Sequence, residues 1–353
     1  MVTYPKGQIS EIQRLQMTTV DAPNIAVAAF EGSGDDMDLP IKRMTTDVDF
    51  KAANGVTSVN SINIVRVTIQ VIHYFWAYLR TVEQLGSSAM GQPLHFSIPT
   101  GAMGNVTAGL FAQQMGCPIA AFCCGVNANN ILHRAVTHGT FHKTPMVRTL
   151  SEAINIGVPY NFERVLYFLT AGDTAAVAAM MAEVDAPAAA LTLPGSVLAK
   201  LRATIQTFTV EDELMLATIR TYWKDHSYLL DPHSAVCLAA AAALEFPVAN
   251  AASGGGTVCL ATAHPCKFEE ALAVAFDDPS DAFWAGASHP GRLAGTAHMP
   301  AAAAALRGMQ ETERPVFVAA PESPLSEVQV GWEVILRGMV VDMAAAAQHK
   351  ANL

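Results

Sequence analysis

Residues 94–116, LHFSIPTGAMGNVTAGLFAQQMG, hold the residue pattern with the clearest chemical consequence. An apolar run, read as a strand, meets Gly101, Gly104 and Asn105 and then passes into an amphipathic helical pattern. A chain that turns on glycines into a helix leaves the first N–H groups of that helix without intrahelical partners. Hydrogen bonding and the helix dipole then both favour an anion such as a phosphate at that point. The spacing is neither G-x-G-x-x-G nor G-x-x-x-x-G-K-[ST], so the dinucleotide and P-loop fingerprints are excluded. A tight strand-to-helix turn with no ligand uses the same glycines, and the spacing leaves both readings open.

A second constellation spans 253–268, SGGGTVCLATAHPCKF. A strand is expected over 257–262, followed by Ala263, His264 and Pro265, with a helix starting near Lys267. Ligands in open α/β sheets gather beyond the carboxyl ends of strands. At such a place the Thr262 hydroxyl can hydrogen-bond a heteroaromatic nitrogen, and a lysine or histidine can meet a phosphate. Alone, His264 is more commonly a turn residue and Lys267 a solvated charge at a helix start. A third group, Asp231-Pro232-His233-Ser234, lacks the G-x-S-x-G context of a hydrolase nucleophile. A helix N-cap by Asp231 or Ser234 is the better reading there.

The elements that must position these residues alternate between strand and helix. Residues 24–30 (NIAVAAF) read as a strand after a helical pattern at 9–19, and 32–38 as a Gly- and Asp-dense loop. Residues 59–79 read as a long, mostly apolar helix with few exposed positions. The strand and helix of 94–116 are followed by a strand at 118–125 and a helix at 130–138, the βαβ signature of a parallel sheet. Residues 171–221 are Ala-rich and read as helical, broken at Pro194-Gly195. A further strand is expected at 315–320 and a helix at 328–349. The alanine blocks at 239–243, 301–305 and 344–347 read as helix and not as functional repeats.

Composition bounds the function. The 353 residues suffice for one large or two ordinary domains, and 51% are apolar against 15% charged. A net charge of −10 argues against a nucleic-acid groove or an anionic-membrane surface. The apolar runs fall short of the ~20 residues of a membrane-spanning helix, and MVTYPKGQIS has no secretory apolar core. A cytoplasmic location is expected, with organelle targeting upstream left open. None of the six cysteines stands in a C-x-x-C pair, so buried reduced thiols are expected rather than a disulfide or metal site.

Several stretches then line up together: YPKGQISEIQRLQMTT at 4–19, VNSINIVRV at 59–67, IPTGAMGN at 98–105, ANNILHR at 128–134, TLSEAINIGVPYNFERVL at 149–166, LLDPHSAV at 229–236 and ATAHPCKFEEAL at 261–272. In this order the chain resembles threonine synthase and the threonine synthase-like phospholyases, pyridoxal-phosphate enzymes of fold type II. The resemblance covers nearly the whole chain. It implies a tryptophan synthase β-like α/β fold with parallel sheets flanked by helices. Residues 1–75 would be a remnant of the small cofactor domain. Residues 76–353 would be the large α/β domain, with a helical insertion near 171–228.

The resemblance also implies roles. The family's phosphate loop falls on Gly101, Ala102, Met103, Gly104 and Asn105, and its pyridine-nitrogen partner on Thr262. A hydroxyl there, rather than a carboxylate, leaves the ring largely unprotonated and suits β,γ chemistry. Asn60, Ser61, Asn63, Arg66, Asn161, Arg164, His264 and Lys267 lie in matching motifs and are candidates for the substrate's surroundings. As alternatives, Asn161 reads as an N-cap and Arg164 as a surface ion pair. The family's Schiff-base lysine belongs to a region preceding the match at Tyr4, so no catalytic residue is assigned and an N-terminal truncation is expected. The expected substrate is a small phosphorylated amino acid, O-phospho-L-homoserine, converted to L-threonine and phosphate. Ala102 stands where synthases usually have Asn and resembles the phospholyases, which would give 2-oxobutyrate, whereas the intact T-A-H-P at 262–265 resembles the synthases. A non-catalytic short form is the third reading, and no pattern speaks to oligomeric state.

Overall fold

The computed structural model describes residues 1–22, 24–32, 34–185, 190–249, 255–277, 282–285, 287, 293, 295–311, 314–317 and 324–351. In chain order the elements are β1 (Val2–Pro5), α1 (Glu11–Thr18), β2 (Val27–Phe30), α2 (Gly34–Thr46), α3 (Val48–Asn54), α4 (Ile64–Leu85), β3 (Leu94–Pro99), α5 (Gly104–Gln114), β4 (Ile119–Val126), α6 (Ile131–His138) and β5 (Thr140–Phe141). There follow α7 (Phe162–Leu169), α8 (Thr174–Asp185), β6 (Leu191–Thr192), α9 (Gly195–Thr204), β7 (Ile205–Thr209), α10 (Asp212–His226), α11 (Pro232–Ala243), β8 (Thr257–Cys259), α12 (Glu269–Ala275), α13 (Ala301–Leu306), β9 (Arg314–Phe317) and α14 (Leu325–Ala351). They group into two compact units. One comprises Met1–Ser58, Cys266–Glu270 and Asp278–Leu353, and the other Val59–Pro265 and Ala271–Asp277. The chain passes between them before α4, so the expected boundary between residues 75 and 76 falls inside one continuous helix.

The second unit is built on a four-stranded parallel sheet in the order β7-β4-β3-β8. Leu94, Phe96 and Ile98 of β3 are fully buried, as expected of a parallel strand covered on both faces. The two faces differ in side-chain size. Phe96 and its register partner Phe122 face Tyr74 of α4, with ring centroids 4.9 and 6.1 Å away. A Cβ on Gly109 of α5 would lie 2.5 Å from the Phe122 ring, so only glycine lets α5 approach that layer. Small residues line the other face: the Ser97 hydroxyl donates to the Cys237 carbonyl of α11 at 2.7 Å, and a Cβ on Gly125 would meet the Val236 carbonyl at 2.8 Å. The Ala-rich α11 can therefore lie close against the sheet, and its residues 232–237 are all buried.

The first unit carries a second parallel sheet, β1-β2-β9. Phe30 of β2 meets Trp332 of α14 at 5.5 Å in a cluster with Met37, Met44 and Leu336. Residues 34–38, expected in a loop, belong to helix α2, which carries Pro40 in its interior. Pro40 has no N–H for the Asp36 carbonyl, and Gln329 of α14 donates to that carbonyl instead at 2.8 Å. The tertiary contact thus satisfies an acceptor that local sequence leaves open.

Two further expectations change. Residues 171–221 are not wholly helical: β7 is the edge strand of the large sheet, paired with β4 from Phe122↔Ile205 to Val126↔Thr209, and β6 pairs with β5. The alternation of buried Ile205 and Thr207 with exposed Gln206 is the strand signal inside that Ala-rich context. Helix α4, expected to have few exposed positions, buries only Val67, Val71, Tyr74, Tyr78 and Val82, while Ile72 and Trp76 are 63% and 62% exposed. The expected strand at 257–262 is formed by 257–259. Ser253 and Gly254 of the second constellation, and residues 318–320 of the expected strand at 315–320, lie outside the described residues.

Candidate cofactor site

The turn between β3 and α5 builds the site. Thr100 donates its N–H to the Gly125 carbonyl at 2.8 Å, which ties the loop to the end of β4. Met103 is the N-cap of α5 with φ 61° and ψ 10°, and its side chain is buried. A methionine in the left-handed region costs on the order of 1 kcal/mol, and its surroundings hold it there. Among the described residues, the N–H groups of Gly101, Ala102, Met103, Gly104 and Asn105 have no protein acceptor. Five consecutive free donors at the start of an eleven-residue helix fit the phosphate of pyridoxal phosphate.

Both glycines are required by close packing. A Cβ on Gly101 would stand 2.9 Å from Ile156 and 3.0 Å from the Ile154 backbone. A Cβ on Gly104 would stand 2.8 Å from the Ser61 Cβ and 3.3 Å from the Asn161 amide nitrogen. Asn161 is fully buried and opens α7, but its side chain does not cap that helix. It reaches across to donate to the Ala102 carbonyl at 2.8 Å, beside the Asn161 backbone N–H at 3.2 Å from the same oxygen. The Asn161 side-chain oxygen accepts from Arg164. Arg164 also donates to the carbonyls of Ser61 at 2.6 Å and Ile62 at 2.7 Å. Burial lowers the pKa of this guanidinium, and Glu163 opposes the shift. Neither the N-cap expected of Asn161 nor the ion pair expected of Arg164 is formed; both residues clamp the loop to the segment before α4.

The remaining candidates divide. Asn60 folds its side chain onto the Ile62 N–H at 2.9 Å, and Asn63 caps α4 through the Val65 N–H at 3.0 Å. Arg66 is exposed and donates to the Val59 carbonyl at 3.2 Å. Thr262 follows β8, the strand beside β3, so its position and the glycine turn both lie beyond the carboxyl ends of neighbouring parallel strands. Thr262 is exposed, and among the described residues its hydroxyl has no hydrogen-bond partner. His264 is exposed two residues further on. Lys267 lies half-buried on a short turn, Pro265–Phe268, and belongs to the other unit.

A polar network not singled out from the sequence borders the loop's far side. Asn127, at the end of β4, donates to Thr149 at 2.9 Å, Ser151 at 3.1 Å and Asn155 at 2.8 Å, and Asn129 donates to Asn155 at 3.1 Å. Asn129, Thr149, Ser151 and Asn155 lie in the matching stretches 128–134 and 149–166, but local sequence offers only a density of Asn, Ser and Thr, which also describes any loop. The six cysteines are unbridged, and five are buried; Cys259 is half-buried. Among the described residues no group of His, Cys, Asp or Glu could hold a metal, and no helix is long and apolar enough to cross a membrane.

The chain as a whole is similar to known proteins. Threonine synthase-like 2 of Mus musculus is 38% identical over 278 residues, which span 78% of this chain and 56% of that protein. Threonine synthase of Pseudomonas aeruginosa is 34% identical over 275 residues, 77% of this chain and 55% of that protein. Among solved structures, the chain matches pyridoxal-phosphate-bound threonine synthase from Brucella melitensis with a TM-score of 0.72 at 29% identity, over 93% of this chain and 64% of that one. It matches threonine synthase from yeast with a TM-score of 0.73 at 26% identity, over 94% and 63% of the two chains. No family model matches. The chain thus spans about half the length of the curated relatives, 56% of the first. With parallel sheets flanked by helices, the chain has the fold type II architecture of the pyridoxal-phosphate enzymes and is a homologue of threonine synthases and threonine synthase-like proteins.

Proposed function

We propose that this chain contributes the phosphate loop and the pyridine-nitrogen partner of an enzyme acting on O-phospho-L-homoserine and water, with L-threonine and phosphate as products. The observation that carries the reading is the row of free N–H groups from Gly101 to Asn105 at the start of α5. These donors would hold the cofactor phosphate without a counter-cation. The Asn161–Arg164 clamp keeps them aligned by fixing the Ala102 carbonyl and the Ser61 segment. Thr262 would hydrogen-bond the ring nitrogen. When bound, pyridoxal phosphate supplies an electron sink that makes protons on the substrate's α- and β-carbons removable. A neutral hydroxyl at the ring nitrogen leaves that sink moderate, which favours continued chemistry toward the γ-carbon, where phosphate leaves. The test is a product assay on the full-length protein that contains this chain. Threonine and phosphate in equal amounts support the reading, and phosphate without threonine contradicts it.

Ala102 supports a second outcome at the same site, in which phosphate is eliminated and the product hydrolyses to 2-oxobutyrate and ammonia. Ala102 is half-buried and offers no amide at this point of the loop. On this reading Ala102→Asn shifts product toward threonine; an unchanged ratio removes any role for the position.

A further inference from the structure

The group 231–234, which the proposed chemistry does not use, is one of the most completely buried polar clusters of the second unit. Asp231, His233 and Ser234 are 1%, 2% and 3% exposed. Asp231 caps α11 by accepting from the His233 N–H at 2.9 Å, and the Ser234 hydroxyl also donates to it. The imidazole has one reading. Nε2 lies 3.1 Å from the Ala153 N–H and accepts from it, so Nε2 carries no proton. Nδ1 then carries the proton and donates to the Asp231 carboxylate at 2.8 Å.

Ala153 sits on the short turn Glu152–Ile154. The next residue, Ile154, is the one whose backbone would meet a Cβ on Gly101 at 3.0 Å. A line of contacts therefore runs from Asp231 through His233 to Ala153 and Ile154, and ends on the first glycine of the phosphate loop. The same turn is held elsewhere by Asn127 on Ser151 and by the Asp212 carboxylate on the Leu150 N–H at 3.1 Å. His233 is the tether on the residue adjoining the loop's contact.

We propose that His233 is a positioning residue for the cofactor phosphate: by accepting the Ala153 N–H it fixes the wall against which Gly101 packs, and so aligns the loop's donors. The proposal rests on the phosphate-loop reading of residues 101–105. Asn and Gln variants separate the two ends of the imidazole. Asn at 233 can meet Asp231 but is too short to reach Ala153, whereas Gln places an acceptor near the position of Nε2.

The experiment titrates the whole chain with pyridoxal phosphate and, separately, with pyridoxal, which lacks the phosphate, and reads the affinity ratio. Wild type is expected to prefer pyridoxal phosphate. His233→Asn should lower that preference about tenfold, the scale of one lost hydrogen bond, with pyridoxal affinity unchanged, and His233→Gln should restore it. A His233→Asn variant that keeps the wild-type ratio, or that loses both ligands equally, overturns the proposal. Equal loss would mark His233 as a fold residue only. A wild-type chain that binds both ligands equally, or neither, overturns instead the phosphate-loop reading on which the proposal stands.

Discussion

Asn161 shows what a single side chain does at this site. Its amide donates to the Ala102 carbonyl and accepts from Arg164, and the residue is fully buried. Asn161→Ala removes one of the two donors to the Ala102 carbonyl and one of the three acceptors of Arg164, which should cost about 1–2 kcal/mol. Urea unfolding of the variant checks this; a shift under ~0.5 kcal/mol would mean that the clamp contributes nothing. The sequence placed Asn161 and Arg164 in a family motif as candidates for the substrate's surroundings, with a cap and a surface ion pair as the alternatives. Their partners, Ala102 and Ser61, lie 59 and 103 positions away along the chain and are brought close only by the fold. The glycines were legible because positions that exclude a side chain are marked by residue type alone. Asp231 was legible for a similar reason, since its capping partners are two and three residues on.

At the scale of elements, small residues decide how helices meet the large sheet. Cys123, Gly125 and Ser97 face α11, and Cys237 of that helix stands against Cys259 of β8. Burial pushes the thiols of Cys117 and Cys123 up to about 11 and that of Cys124 up to about 12. Cys259 goes the other way: a hydrogen bond from Cys237 lowers it, against an opposing effect of burial, while Cys237 is raised. Since the thiolate is the nucleophile, iodoacetamide at pH 8 should label Cys259 first and leave Cys117, Cys123 and Cys124 untouched until the protein unfolds. Peptide mapping reads this; early labelling of Cys124 would contradict the packing. Strand β3, helix α5 and strand β4 were legible in sequence because periodicity and turn residues agree there. Strand β7 was not, because its five residues lie directly against helix α9 in an Ala-rich stretch. Helix α2 was missed because G-S-G-D-D reads as a loop, and the Gln329 donor that accommodates Pro40 is supplied from almost 300 residues away.

For the whole molecule, burial of histidines contributes to how stability depends on pH. His95 packs edge-on against Phe246 at 5.3 Å, and its Nδ1 is buried with no hydrogen-bond partner among the described residues. Burial lowers its pKa from 6.5, with a smaller opposing effect from Gly256, and burial lowers His133 likewise. A histidine whose folded pKa lies below its unfolded value is neutral in the native state and takes up a proton on unfolding. Its contribution is fully present above about pH 6.5 and is lost as pH falls through the folded pKa. The urea midpoint should therefore drop between pH 8 and pH 5, and drop less in His95→Phe; equal slopes would remove His95 from this balance. The large sheet brings the glycine turn and the Thr262 turn to the same end of neighbouring parallel strands. Amide NMR of the chain titrated with pyridoxal phosphate addresses that directly. The resonances of Gly101 and Gly104 should shift together with that of Thr262, and pyridoxal without its phosphate should move only the last. Shifts that leave both glycines in place while the ligand binds would contradict the assignment of the α5 turn as the phosphate site.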